Sequence, residues 1–256
     1  MHMARTFVTD KMRVRVYDSN ETMGAAAARD LAALLRDGAA SGDDISIILA
    51  TGNSQLSFMA ALRARPDIPW DKITVFHMDE YSGMSAQHPA SFRRFLREKL
   101  VDVVHPRAFH GLAGDAPDRG VEIARYTALL QQHRPIACVL GMGENGHLAF
   151  NDPPADFQTR QLLAVVTLDE VCRRQQVGEG HFATMDDVPR QAITLTVPAL
   201  LAPPHVLAIV PETRKARAVQ QALEGPVTPA CPASILRTNP HVRLYLDQDA
   251  AALLHA

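Results

Sequence analysis

The sequence predicts an α/β protein, a three-layer, mostly parallel, doubly wound sheet with helices on both faces. Three observations point there. Short β-rich runs alternate with longer runs at helical spacing, the order that βαβ units require. The runs "ISIILA" and "IACVL" are almost unbroken in apolar character, as strands buried on both faces must be. Hydrophobic residues make up 47% of the 256 residues, enough for a sizeable core.

Taken in order, residues 1–12 are expected to be irregular, and "RVRVYDS" reads as a strand. "NETMGAAAARDLAALLRDGAA" follows with Ala and Leu at helical spacing and Asn20 as an N-cap candidate. "DISIILATG" is a strand, "SQLSFMAALRAR" a helix that ends at Pro66, and "KITVFHMDE" a third strand. "SFRRFLREKLVDVV" is helical and "RAFHGL" a short strand. "APDRGVEIARYTALLQQHR" is a long helix that leads to the strand "IACVLGMG". "RQLLAVVT", "AITLTV" and "HVLAIVP" all read as strands. "ETRKARAVQQALEG" is a helix closed by Gly225 as a C′ glycine. "HVRLYLD" and "AAALL" finish the chain. With no internal repeat, low-complexity tract or linker, one domain over residues 1–256 is expected.

The bulk numbers exclude several classes. The formal net charge is −2, from 26 basic and 28 acidic residues, which gives no reason to expect nucleic acid or an anionic membrane as partner. Cys138, Cys172 and Cys231 are far apart and show no CxxC spacing, so they read as thiols of a reducing compartment. The first residues lack the apolar region of a signal peptide, and no apolar run approaches the ~18 residues of a membrane span. A cytoplasmic globular protein is expected, and a homo-oligomer stays open.

In open sheets of this kind ligands bind beyond the carboxyl ends of the strands. Three loops with unusual chemistry belong there. The first, "ATGNSQLS", turns from a strand into a helix, and its backbone amides with the Thr51 and Ser54 hydroxyls can hold an anion. It lacks the Lys-Ser/Thr pair of a Walker A loop, and a plain N-capped turn is an equal alternative. The second, "HMDEYSG", puts Asp79 at a strand end, where a carboxylate can serve as a general base; an acidic helix cap is the plainer alternative. His77 and Asp79 share a strand face, but no third ligand is evident, so no metal site is expected.

The third loop is "GMGENGHLAFNDPP". Its glycines, Gly141, Gly143 and Gly146, permit close backbone approach and positive φ. His147 is its one side chain whose ordinary pKa lies near neutrality, and Asp152 can fold back to hold its ring. A lone histidine is more often structural; one set among glycines and acids at a strand end favours a functional role. Lys215, in the first turn of the helix after "HVLAIVP", can pair with a phosphate as a point charge. The doublet Arg173-Arg174 is a further anion candidate, with a solvated helix face as the alternative.

Together, "ATGNS", "VFHMDEYSGM", "HPASFRRFL", "GMGENGHLAFNDP", "VPRQAITLTVPALL" and "KARAVQQALEG" resemble the glucosamine-6-phosphate deaminase family, which shares a Rossmann-like fold with the 6-phosphogluconolactonases. The resemblance runs over nearly the whole chain. It implies that Asp79 moves a proton between C2 and C1 of an open-chain sugar. It implies that His147, steered by Asp152, opens the pyranose ring, and that Thr51, Gly52, Asn53, Ser54, Gly146, Arg173 and Lys215 bind the substrate. The implied reaction yields fructose 6-phosphate and ammonia with no cofactor.

The chain also departs from the family pattern. An aspartate is usual where this sequence has Asn145, and a glutamate where it has Asp152. The family's phosphate-binding arginine has no counterpart in "QQVGEGHF". Glu144 is the expected substitute for the charge lost at Asn145. A lactone hydrolase, a catalytically weak sugar-phosphate sensor and a metal-dependent hydrolase at His77 and Asp79 are the competing readings.

Overall fold

The computed structural model describes residues 3–40 and 44–255. Among them, eleven strands run β1 Met3–Thr9, β2 Met12–Tyr17, β3 Ile45–Leu49, β4 Ile73–His77, β5 Asp79–Tyr81, β6 Ala108–His110, β7 Ala137–Leu140, β8 Leu163–Thr167, β9 Gln191–Leu195, β10 His205–Val210 and β11 Val242–Asp247. The α-helices are α1 Asn20–Ala40, α2 Leu56–Arg63, α3 Phe92–Leu96, α4 Asp102–Val104, α5 Arg119–His133, α6 Glu170–Gly178, α7 Val197–Leu201 and α8 Ala216–Glu224. A π-helical segment, Arg97–Val101, joins α3 to α4.

The main sheet has the order β1-β2-β11-β10-β7-β3-β4-β6. Its neighbours are parallel except for the antiparallel edge pair β1–β2. From β3 the chain adds β4 and β6 on one side; from β7 it adds β10 and β11 on the other. The order therefore reverses between the adjacent strands β3 and β7, and that reversal opens a crevice beyond their carboxyl ends.

Alternation of side chains explains why these strands read as continuous apolar runs. Ile48, Cys138, Leu140, Val206 and Ala208 face one layer, with Tyr126, Leu130, Val219 and Leu223 of α5 and α8. Ile47, Leu49, Val139, Leu207 and Ile209 face the other, with Leu31 and Leu35 of α1 and Phe58 and Leu62 of α2. Each large buried side chain is worth about 1.5–3 kcal/mol by transfer. Truncating one, such as Leu49→Ala, costs about 2–5 kcal/mol with the cavity it leaves.

Several expectations are corrected. Residues 1–12 are not irregular throughout: Met3–Thr9 pairs with β2 across a tight turn, Asp10 adopting φ 51°. That turn conformation suits a short polar residue such as Asp. The cap of α1 is Ser19 rather than Asn20, because the Thr22 amide donates to Ser19 Oγ at 3.3 Å and the Ser19 amide to Thr22 Oγ1 at 3.1 Å. Gly225 is extended, with φ −78° and ψ −177°, so it is not a left-handed cap. Space is what requires glycine there, since a Cβ would lie 2.6 Å from the Gln221 carbonyl oxygen.

The largest difference concerns "KITVFHMDE", which is two strands. β4 belongs to the main sheet; β5 leaves it to pair antiparallel with β9, which pairs with β8. "RQLLAVVT" and "AITLTV" thus build a separate three-stranded sheet. A third apolar cluster, with Tyr81, Phe92, Phe150, Cys172 and Phe182, packs beneath it.

Candidate active site

The crevice at the strand reversal is lined by Thr51, Gly52, Ser54, Asp79, Gly141, Gly143, His147, Gln175, Gln176, Glu179, His181 and Lys215, among others. Each comes from a strand end or from the segment around α6.

Beyond β3 the backbone turns at Gly52, φ 93°, into the 3₁₀ turn Asn53–Gln55 and then α2. This presents amides and hydroxyls at a helix start, an arrangement that favours an anion. A matching turn follows β10. Glu212, φ 81°, leads into the 3₁₀ turn Thr213–Lys215 and α8. A glutamate in that conformation is strained, and its amide is held by both carboxylate oxygens of Asp247, each at 3.1 Å. The turn delivers Lys215, only 2% exposed, to the crevice. Burial pushes the Lys215 pKa down, and the neighbouring Glu179 opposes that shift.

Asp79 and Glu80 part company at β5. Asp79 lines the crevice and is 5% exposed. Burial, and secondarily the Glu80 charge, raise its pKa well above the usual carboxylate range. Glu80 turns away and caps α3, accepting from Ser91 Oγ at 2.7 Å and from the amides of Phe92 and Arg93 at 3.2 and 3.1 Å. His77 is outside the crevice lining; its Nε2 accepts from the Leu112 amide at 2.7 Å, so that nitrogen is committed to the fold.

The loop after β7 carries His147. A Cβ at Gly143 would lie 2.2 Å from the imidazole, so only glycine lets the ring lie flat on this backbone. Of the loop's glycines, only Gly146 takes positive φ, 83°. His147 Nδ1 faces Asp152 Oδ1 at 3.3 Å. The approach is near enough for an ion pair but off-line for a hydrogen bond, and Nδ1 has no hydrogen-bond partner. With Nδ1 on Asp152, the ring offers Nε2 to a ligand. Burial pushes the Asp152 pKa up, but His147, the Asp169 amide and Asn145 outweigh it and hold the carboxylate below its ordinary value.

Asn145 sits behind this pair. Its Nδ2 donates to Asp152 Oδ1 at 3.2 Å and to Asp169 Oδ2 at 3.0 Å, and its Oδ1 accepts from the His147 amide at 3.0 Å. Glu144 does not stand in for the missing carboxylate: it is drawn to Arg214 Nη1 at 3.4 Å and is not among the crevice residues. Asp169 is the second carboxylate of the group, and its other oxygen caps α6 through the Cys172 amide at 2.6 Å.

The structure does not bring every candidate to the crevice. Arg173 is turned to the carbonyls of Met185 and Val188. Asn53 Nδ2 donates to the Glu179 carbonyl at 3.4 Å, and Gly146 packs on Cys231. Sequence reasoning missed Gln175, Gln176, Glu179 and His181, which α6 and its following turn place over the crevice. Glu179 pairs with Arg214 at 2.7 Å and His181 at 3.3 Å. Burial raises its pKa, but His181, Arg214 and Lys215 prevail and bring it to about 2. Residues 175, 176 and 179 share one helix face, the only signal the sequence held for them.

A sequence model of the glucosamine-6-phosphate isomerases/6-phosphogluconolactonase family matches residues 18–245. A glucosamine-6-phosphate deaminase of Exiguobacterium sibiricum is 35% identical over 212 residues, 83% of this chain and 82% of the relative. One from Listeria monocytogenes is 31% identical over 221 residues, 86% of this chain and 92% of the relative. The solved structure of a monomeric glucosamine-6-phosphate deaminase superposes with a TM-score of 0.86 at 28% identity, covering 94% of this chain and 99% of that one. A 6-phosphogluconolactonase from Shewanella baltica shares the fold, with a TM-score of 0.76 at 20% identity over 96% and 99% of the two chains. By sequence and by fold, this chain belongs to the glucosamine-6-phosphate isomerase/6-phosphogluconolactonase family.

Proposed function

We propose that the protein is an amino-sugar-phosphate deaminase that converts glucosamine 6-phosphate and water to fructose 6-phosphate and ammonia. The observation that carries this reading is the convergence of three groups on one crevice. They are the buried carboxylate Asp79, the imidazole His147 backed by Asp152, and the anion cradle of Thr51, Gly52, Ser54 and Lys215. The deaminase relatives at 31–35% identity support it.

Each group has a task that its surroundings suit. The cradle and Lys215 hold the 6-phosphate and so fix the sugar, and such positioning removes several kcal/mol of barrier. His147 takes the proton of the anomeric hydroxyl and returns one to the ring oxygen, opening the ring. The Asp152 carboxylate stabilises the imidazolium formed on the way, as a buried opposite charge does. Asp79 then removes the C2 proton of the open aldose and delivers one to C1. The resulting imine at C2 takes up water and releases ammonia. Acid–base help of this kind contributes ~10²–10⁴-fold per group. A raised pKa suits Asp79, since a base is most effective when its pKa approaches the working pH. The three free, buried thiols suit a reducing compartment, and we assign the protein to the cytoplasm.

The test is an assay of purified protein with glucosamine 6-phosphate and, separately, with a 6-phosphogluconolactone. Stoichiometric ammonia and fructose 6-phosphate from the first are expected. Lactone hydrolysis without ammonia release would replace this reading with that of a hydrolase. Tight sugar-phosphate binding without turnover of either would replace it with that of a sensor.

A further inference from the structure

We propose that His147, Asp152 and Cys172 form a binding site for a soft divalent cation, best matched by Zn²⁺, and that its occupancy switches the enzyme off. One imidazole nitrogen, one carboxylate oxygen and one thiol sulfur lie within 4.8 Å of one another. Zinc bonds of about 2.0–2.3 Å set neighbouring ligand atoms ~3.3–3.8 Å apart in a tetrahedron, so small side-chain rotations close the site. The ligands come from two distant stretches, and no sequence spacing announces them: Cys172 lies in the first turn of α6.

A second observation points to a ligand. His147 is 8% exposed, yet its Nδ1 has no hydrogen-bond partner and is aimed at Asp152. Buried polar atoms are rarely left so, and a cation between the two would give Nδ1 a partner. A further carboxylate stands beside the group: Asp169 accepts from the Cys172 amide at 2.6 Å through Oδ1 and from Asn145 at 3.0 Å through Oδ2. The supporting shell is in place. The Asp169 amide donates to Asp152 Oδ2 at 3.0 Å and Asn145 to Oδ1 at 3.2 Å, the kind of outer contact that orients metal-binding carboxylates.

Sulfur and nitrogen ligands select zinc over magnesium or calcium. On coordination Cys172 gives its proton to solvent, and a water completes the four-coordinate shell. A His147 held on a cation can no longer carry a proton for ring opening. The inhibition rests on the role given to His147 above; the binding does not.

Two measurements test this. The chelator-treated protein is titrated with Co²⁺ alone and its absorption recorded. One equivalent should produce a thiolate-to-cobalt charge-transfer band in wild type and none in Cys172→Ser, which keeps the side-chain volume. In parallel, ammonia release is followed against added Zn²⁺. Zinc should inhibit wild type reversibly with chelator. Cys172→Ser or Cys172→Ala should need at least about tenfold more zinc with metal-free turnover within about twofold of wild type. A cobalt complex without the thiolate band overturns the site, as does equal zinc sensitivity of wild type and both variants. A thiolate band with undiminished ammonia release overturns the switch. Wild type that releases no ammonia at all defeats the deaminase reading, while the cobalt spectrum still decides the site.

Discussion

The side-chain amide of Asn145 donates to Asp152 Oδ1 at 3.2 Å, the same oxygen that faces His147. It donates equally to Asp169, 3.0 Å away. An amide is the side chain this position needs, because it supplies donors to two carboxylates while its own oxygen accepts the His147 amide. Asp169 sets a second carboxylate beside Asp152, its amide donating to Asp152 Oδ2 at 3.0 Å. Asn145→Asp would set a third carboxylate against two others. It should raise the Asp152 pKa, since like charges disfavour ionisation, and lower turnover roughly tenfold or more, part of the ~10²–10⁴-fold that acid–base catalysis supplies. Steady-state assays at several pH values check this. Turnover equal to wild type, with the same pH profile, would show that Asn145 is not adapted to Asp169.

Asp79→Gln would change both size and charge, so Asp79→Asn is the cleaner probe. It should lower kcat by ~10²–10⁴-fold with little change in KM, because a base acts in the transition state more than in binding. In wild type, burial and Glu80 raise the Asp79 pKa. The base must be ionised, so the acid limb of kcat/KM should lie above the ordinary carboxylate pKa of ~3.9. A limb at or below that value would contradict this assignment.

Lys215→Met removes the buried charge of the anion cradle while keeping most of the side-chain volume. A hydrogen bond to a charged group is worth about 1.5–3 kcal/mol, so KM for the phosphorylated sugar should rise about tenfold to hundredfold. The loss should shrink for a substrate without phosphate. An equal loss for both would place the effect elsewhere, such as in the Glu212 turn.

Stability should fall on mild acidification through a residue outside the crevice lining. Burial holds the His77 pKa down, at about 3, against 6.5 for the free side chain. Between those values the unfolded chain binds the extra proton. The stability His77 contributes is therefore complete above pH ~6.5 and is lost as pH falls toward 3, by up to about 1.4 kcal/mol per pH unit. His77→Gln retains an acceptor for the Leu112 amide and should flatten this dependence. Urea unfolding of both proteins at pH 7 and 5 tests it, and parallel slopes would refute it.

Much of the architecture was legible in the sequence because burial on both faces leaves a direct trace. The runs around Ile47, Val139 and Leu207 are apolar on both sides, which only a covered sheet explains. The second sheet was not legible, because pairing partners of short strands such as Asp79–Tyr81 are set by tertiary contacts. The same limit applies to the site. Thr51, Asp79, His147 and Lys215 follow strand ends, where topology itself directs side chains to the crevice. Glu179 and His181 reach it only through the packing of α6. Arg173, one helix turn away from the crevice-facing residues, is captured by carbonyls of the chain. Glu80 and Asp79 are adjacent and chemically alike, and only the alternation of side chains along β5 turns one to the cap of α3 and the other to the crevice.

The most direct test of the central claim is the rate of ammonia release from glucosamine 6-phosphate by wild type and by folded Asp79→Asn, measured side by side. Wild type should release ammonia and fructose 6-phosphate in equal amounts, and Asp79→Asn should do so at least about a hundredfold more slowly. Absence of ammonia from wild type, or equal rates from the two proteins, would contradict it.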